Sequence, residues 1–98
     1  MRKITEKAGQ AFNNGYRFKK SNTEVRIEND GSVYMYLFGR AIAKKENGET
    51  FICNGNYRAT VTTSDRLSAI VPVRKRQGQL IVKEKVVLEE KWLNINQI

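Results

Sequence analysis

The spacing of apolar residues changes period along the chain, and each change marks an element. Over residues 2–13, Ile4, Ala8, Ala11 and Phe12 recur at helical spacing while Lys3, Glu6 and Lys7 take the other positions, which predicts an amphipathic helix. Asn13-Asn14-Gly15 follows, and a glycine just past the last periodic residue is the left-handed stop that ends many helices. From Thr23 the period is two. Thr23, Val25 and Ile27 alternate with Glu24, Arg26 and Glu28, and the alternation resumes from Val33 to Phe38 after Asn29-Asp30-Gly31. This predicts strands over 23–28 and 32–38 joined as a hairpin, with Asp30-Gly31 in a type I′ turn.

Gly39 then marks a bulge or bend before a strand over 40–45, and Asn47-Gly48 turns the chain into a strand over 49–53. Asn54-Gly55-Asn56 is a further turn, and Tyr57 to Val61 reads as a short strand. A short helix is predicted over 63–70, capped by Thr62 or Thr63, with Asp65 in its first turn and Leu67 and Ile70 facing inward. Pro72 ends it, and strands over 73–77 and 79–83 form a hairpin about Gln77-Gly78. Val86-Val87-Leu88 with Trp92 fits either a strand or a terminal helical turn. The sum is an α+β fold with a mainly antiparallel sheet. Its helices must cover either the face of Val33, Met35 and Leu37 or the face of Tyr34, Tyr36 and Phe38.

A length of 98 residues, with 40% hydrophobic and 29% charged residues, fits one small domain over 1–98 and leaves little room for a second core. A chain this short buries about 60–70% of its unfolded surface, so self-association that covers an apolar face is an open expectation. The sole cysteine, Cys53, excludes an intrachain disulfide and offers no paired metal ligand. The basic start leads into no apolar signal-type stretch, and no run of 18 apolar residues occurs, so no membrane association is expected.

Three stretches carry a resemblance: Ser21-Asn22-Thr23-Glu24-Val25, the run from Leu37 to Gly48, and Thr62-Thr63-Ser64-Asp65-Arg66-Leu67. Together, over about residues 3–70, they resemble a pattern in small proteins of tailed bacteriophages and mobile elements. That pattern has an "NTxV" phrase, an "LxGxxIAKxxNG" hairpin and a "TTxxRL" helix start. The resemblance implies a phage setting and action in the bacterial cytoplasm, with a place in the virion as the alternative. It brings no activity with it.

With no histidine there is no imidazole base and no Ser-His-Asp arrangement. Glu28 with Asp30 and Glu89 with Glu90 are the paired carboxylates, and they read as a hairpin turn and a charged tail rather than as acid-base or metal sites. No glycine-rich phosphate loop is present. The expectation is a non-enzyme without cofactor or metal.

Charge changes the picture more. Eighteen Lys and Arg against ten Asp and Glu give +8, and residues 1–20 hold Arg2, Lys3, Lys7, Arg17, Lys19 and Lys20 against Glu6 alone. Such a field attracts polyanions, nucleic acid first among them. The candidate contacts are the Arg74-Lys75-Arg76 run at a hairpin tip, Lys44 and Lys45 beside the Asn47-Gly48 turn, Arg40 after Phe38, and Lys19 with Lys20. Tyr34, Tyr36 and Phe38 beside these cations are of the kind that stack bases in single-strand binders, although a period-two aromatic stripe is more often the side of a sheet packed under a helix. Two alternatives stand beside this. One is a protein-interaction factor, directed at a host defence or transcription protein or serving as a minor virion component, with Tyr57 and Trp92 as aromatic anchors. The other is a pocket that sequesters a nucleotide.

Overall fold

The computed structural model describes residues 3–53, 61–76, 79–87 and 91–96. The first amphipathic segment forms helix α1, Lys3–Asn14, with Thr5, Ala8, Gly9, Ala11 and Phe12 buried. Its stop is the expected one. Gly15 lies at φ 75°, and the N–H groups of Gly15 and Tyr16 both reach the Ala11 carbonyl, at 2.9 and 3.0 Å.

The period-two region becomes strands β1 (Phe18–Lys20), β2 (Thr23–Ile27), β3 (Val33–Leu37), β4 (Arg40–Glu46) and β5 (Glu49–Ile52), joined in sequence order as antiparallel neighbours. Helix α2, Val61–Ser68, follows. Strands β6 (Arg74–Arg76), β7 (Gln79–Val82) and β8 (Lys85–Val87) make a separate three-stranded sheet, and β9 (Leu93–Asn94) returns to pair with β5 as the sixth strand of the large sheet.

Register decides which side of the large sheet is core. Val25 stands opposite Met35, Met35 opposite Ala43, Ala43 opposite Ile52 and Ile52 opposite Leu93. Helix α1 packs on β1, β2 and β3, while α2 packs on α1 and β4. The helices therefore cover the face of Val33, Met35 and Leu37. Leu80, Val82 and Val87 of the small sheet join the same core cluster as Phe12, Met35, Ile42, Ile52 and Leu67. Each such side chain taken fully out of water contributes about 1.5–3 kcal/mol. A close approach completes the packing: a Cβ on Gly9 would stand 2.7 Å from the Ala69 Cβ, so glycine lets α1 meet the turn after α2.

Among the described residues, one charged side chain lies inside. Arg66 of α2 is 2% exposed, and its guanidinium donates to Thr23 Oγ1 at 2.9 Å, Thr5 Oγ1 at 2.6 Å and Asp65 Oδ2 at 2.8 Å. The Thr5 hydroxyl donates in turn to the same Asp65 carboxylate. Thus α1, β2 and α2 are tied at one point by groups that would each be costly to leave unpaired.

Several expectations need correction. The Asn29-Asp30-Gly31 connection is not type I′: only Gly31 has positive φ, Gly31 N–H bonds Glu28 O, and Glu28 N–H bonds Ser32 O. That is a three-residue loop, a tight turn followed by a left-handed glycine, further held by Ser32 N–H on Asp30 Oδ1 at 2.9 Å. Gly39 is neither bulge nor bend, since Phe38-Gly39 is itself a two-residue turn; the bulge lies in the β3–β4 pairing at Met35/Tyr36, where Ile42 is the extra, buried residue. Helix α2 starts at Val61, so Thr62 and Thr63 lie inside it rather than ahead of it, and Asp65, past the first turn, accepts from Arg66 and Thr5. Val61 is helical, not the end of a strand, and the remainder of the strand expected at 57–61 lies outside the described residues. The strands β1 and β9 were not anticipated, and β8 takes the strand alternative left open for Val86 and Val87.

Candidate functional site

One residue along each strand from the core row, a second row crosses the large sheet. Arg26 stands opposite Tyr34, Tyr34 opposite Lys44, Lys44 opposite Phe51 and Phe51 opposite Asn94. Because directly opposed residues share a face and neighbours along a strand alternate, this row lies on the side away from the helices. Tyr36, two residues from Tyr34, belongs to the same face, and the two rings stack with centroids 6.2 Å apart. The Arg26 guanidinium sits 4.9 Å from the Tyr36 ring centre. The Lys44 ammonium lies 5.1 Å from Phe51 and 4.9 Å from Trp92. Cations and rings thus alternate from β2 to the segment that leads into β9.

The cations of the row are not all equally available. Arg26 Nε donates to Glu24 Oε2 at 2.9 Å, and its side chain remains 56% exposed. Lys44 Nζ bonds Glu46 Oε1 at 2.8 Å and is largely enclosed by its two rings. The hydrogen bond from Arg26 holds the Glu24 carboxyl below its ordinary value, and Glu24 holds the Arg26 guanidinium above its own. Burial pushes the Tyr34 hydroxyl up, so this ring stays neutral well into the alkaline range.

The residues singled out in the sequence separate into four places. Lys44 and Trp92 are on the outer face; Tyr34 and Tyr36 are half-buried there, not under a helix. Lys45 points to the other side, where its ammonium donates to the Asn13 carbonyl at 2.8 Å and lies over Phe12, steadying the end of α1. Lys19, Lys20 and Arg40 are exposed at one end of the sheet. Arg74 belongs to the small sheet, exposed and ion-paired with Glu84 at 2.7 Å, apart from the outer row. Tyr57 and the side chains of Lys75 and Arg76 lie outside the described residues. The sequence reading missed Arg26 and Phe51 as members of the row. Their signal was the register, which no single strand carries. Cys53 is buried with its thiol donating to Ala41 O at 3.3 Å.

A family model described as Kyanoviridae Gp96 protein matches residues 1–97. The chain belongs to that Gp96 family. It is therefore a phage protein, as the sequence pattern implied, although the family match does not test the pattern itself. No curated protein and no solved structure matches the chain.

In this Gp96-family chain the two ends of the large sheet differ in charge. At one end the Ser21-Asn22 and Phe38-Gly39 turns lie side by side, with Thr23 opposite Leu37 and Phe38 N–H bonded to Asn22 O at 2.8 Å; Lys20 and Arg40 adjoin them. The other end, formed by the 28–32 loop and the Asn47-Gly48 turn, carries Glu28, Asp30, Glu46 and Glu49. A groove of about 430 Å³ runs along the short β1 edge, lined by Arg17, Lys19 and Arg26 but also by Glu24 and Glu28. Its size suits a small ligand, and its mixed charge does not make a phosphate cradle. Among the described residues, no three Cys, Asp or Glu side chains gather as metal ligands, and no helix is long and apolar enough to cross a membrane.

Proposed function

We propose that this phage chain is a non-catalytic binding protein, acting in the bacterial host cell, whose outer sheet face receives an unpaired stretch of nucleic acid. The observation that supports the reading is the row Arg26, Tyr34, Lys44 and Phe51 across four adjacent strands, with Tyr36 and Trp92 beside it. Every base has a π face, so a platform of rings accepts bases with little regard to sequence, while nearby cations follow the backbone. The net charge of +8 draws a polyanion toward the protein over a distance comparable to the Debye length. Double-stranded DNA is a poorer occupant, because this flat face offers no element to enter a groove.

The test is anisotropy of a labelled oligothymidylate against the protein across a salt series, with a duplex of equal length as comparison. Micromolar or tighter binding to the single strand, falling linearly in log K against log salt, is expected. Replacing both Tyr34→Ala and Tyr36→Ala is expected to weaken it by at least about tenfold, since each stacked base contributes about 1–3 kcal/mol. Absence of binding at low salt rejects the reading.

One observation favours a second reading, a protein partner. Arg26 and Lys44 each hold a carboxylate, so the row itself is close to neutral, and Phe51 with Trp92 would then serve as an aromatic anchor. Capture of a phage or host protein that persists at high salt, with no oligonucleotide binding at low salt, is the outcome this reading expects.

A further inference from the structure

Arg26 and Lys44 are each held by a carboxylate two residues away on the same strand, but the two pairs are built differently. Lys44 Nζ reaches Glu46 Oε1 at 2.8 Å from beside the Phe51 and Trp92 rings, and its side chain is 19% exposed. Arg26 Nε reaches Glu24 Oε2 at 2.9 Å with 56% of its side chain exposed, and it borders the groove along β1. Register places Glu24 between Lys19 of β1 and Tyr36 of β3, in a second outer row next to that of Arg26. Arg17 and Lys19, both exposed, line the same groove. Glu24 is thus a single carboxylate set among three cations.

A place that holds one carboxylate against several cations is an anion site occupied by the chain itself. The hydrogen bond from Arg26 is the main reason that the Glu24 carboxyl lies below its ordinary value, and the charges of Arg26 and Lys19 act in the same direction. The occupant is loosely held, because an exposed ion pair contributes little and the carboxylate takes only the Nε hydrogen of the guanidinium fork. A phosphate can engage two N–H groups of that fork at once, which makes it the stronger partner for arginine. With Glu24 turned out, the charged lining of the groove is Arg17, Lys19 and Arg26 against Glu28 alone. The mixed charge that spoils the groove as a phosphate cradle therefore comes largely from a residue that a phosphate can replace.

Arg26 also decides what kind of phosphate fits. Its guanidinium lies 4.9 Å from the Tyr36 ring centre, so one side chain belongs both to the groove and to the stacking face. A base resting on Tyr36 brings its own backbone to Arg26, whereas a free phosphate has no ring to hold it. We infer that the groove beside β1 is a subsite for a backbone phosphate of single-stranded nucleic acid, formed by Arg17, Lys19 and Arg26, which Glu24 fills until the strand displaces it. This rests on the reading of the outer face as a single-strand platform. Glu24 is an internal competitor: a strand that delivers base and phosphate together displaces it, and an isolated anion does not.

The experiment is anisotropy of the labelled oligothymidylate across the salt series with single substitutions. Glu24→Gln keeps the side chain's shape and removes the competitor. Its affinity at low salt is expected to rise about threefold, the scale of one exposed ion pair, and the slope of log K against log salt to steepen by about 0.7, one net phosphate contact. Arg26→Gln is expected to weaken binding and flatten the slope by about the same amount. Glu28→Gln removes an equal charge from the same groove without touching the Arg26–Glu24 bond, and a clearly smaller rise is expected. Inorganic phosphate at constant ionic strength is expected to compete poorly.

Equal rises in Glu24→Gln and Glu28→Gln overturn the inference, since net charge alone would then be acting. Strong competition by inorganic phosphate overturns it too, by making the groove a free-phosphate site. Unchanged or weaker binding by Glu24→Gln, alongside loss in the Tyr34→Ala, Tyr36→Ala protein, overturns it and leaves the outer-face reading standing. Failure of the unmodified protein to bind the oligonucleotide at low salt removes both.

Discussion

On the inner face of the large sheet the row Val25, Met35, Ala43, Ile52 and Leu93 is apolar from β2 to β9, and one residue along each strand the outer row reads Arg26, Tyr34, Lys44, Phe51 and Asn94. The backbone is common to both rows; only what covers them differs. The inner row meets α1, α2 and the small sheet, so its residues are chosen for volume and absence of charge. The outer row contains large rings and charges paired one to one, a composition that a solvated sheet face does not require for folding. The contrast teaches that stability and recognition are separated by the two-residue period, so that substitutions on one face leave the other largely intact.

The largest expected effect is on the inner side. Phe12 has no exposed surface and seats α1 on the sheet, so Phe12→Ala is expected to cost about 3–5 kcal/mol in a urea titration, a large share of the stability of a domain this size. Tyr34→Ala on the outer face gives up cross-strand contacts and is expected to cost about 1 kcal/mol. Similar losses from the two would break the comparison, by showing that the outer face is packed against something in solution.

Arg66 sharpens it from the other direction, being the fully buried charged group on the helix side among the described residues. Arg66→Met keeps apolar bulk but removes the guanidinium's hydrogen bonds to Asp65, Thr5 and Thr23, and a loss of about 3 kcal/mol is expected, reduced somewhat because Asp65 is partly solvated. Equal stability of Arg66→Met and the unmodified chain would mean that the polar tie contributes nothing beyond its volume.

Legibility follows the same division. The helix over 2–13, the hairpins at 23–28/32–38, 40–45/49–53 and 73–77/79–83, and the short second helix were readable, because one-sided burial imprints a period and Gly15, Gly48 and Pro72 punctuate it. The strand β1 was not: Phe18-Lys19-Lys20 is three residues long, too short for alternation to register. The turn into β8 was hidden because Lys83-Glu84 takes positive φ with neither glycine nor asparagine. Strand β9 pairs with β5 across some forty residues, and a two-residue strand carries no local signature of such a partner. Of the site, Tyr34, Tyr36, Lys44 and Trp92 were noticed one at a time, but their assembly depends on register and on which face the helices choose. The chain pattern left that choice open, since a stripe of Val33, Met35 and Leu37 and a stripe of tyrosines are both able to lie under a helix.

The smallest expected effect is of pH, and it should act on the outer face and its adjoining loop. Glu24 is held below its ordinary value by the hydrogen bond from Arg26, and Asp30 by the backbone N–H of Ser32. A carboxyl whose folded value is depressed contributes stability above its unfolded value, near pH 4, and loses it as pH falls through the lower folded value. Tyr34 behaves oppositely: burial raises it, so its contribution is complete below about pH 10 and disappears as pH climbs through the higher folded value. The inner row has no ionisable member. Urea midpoints followed from pH 5 downward are therefore expected to fall more for the unmodified chain than for Glu24→Gln, the two converging at the acid end where Glu24 is protonated in both states. Parallel curves would show that the Arg26–Glu24 pair is not formed in solution, and with it would go the reason for regarding the outer row as charge-balanced rather than open to phosphate.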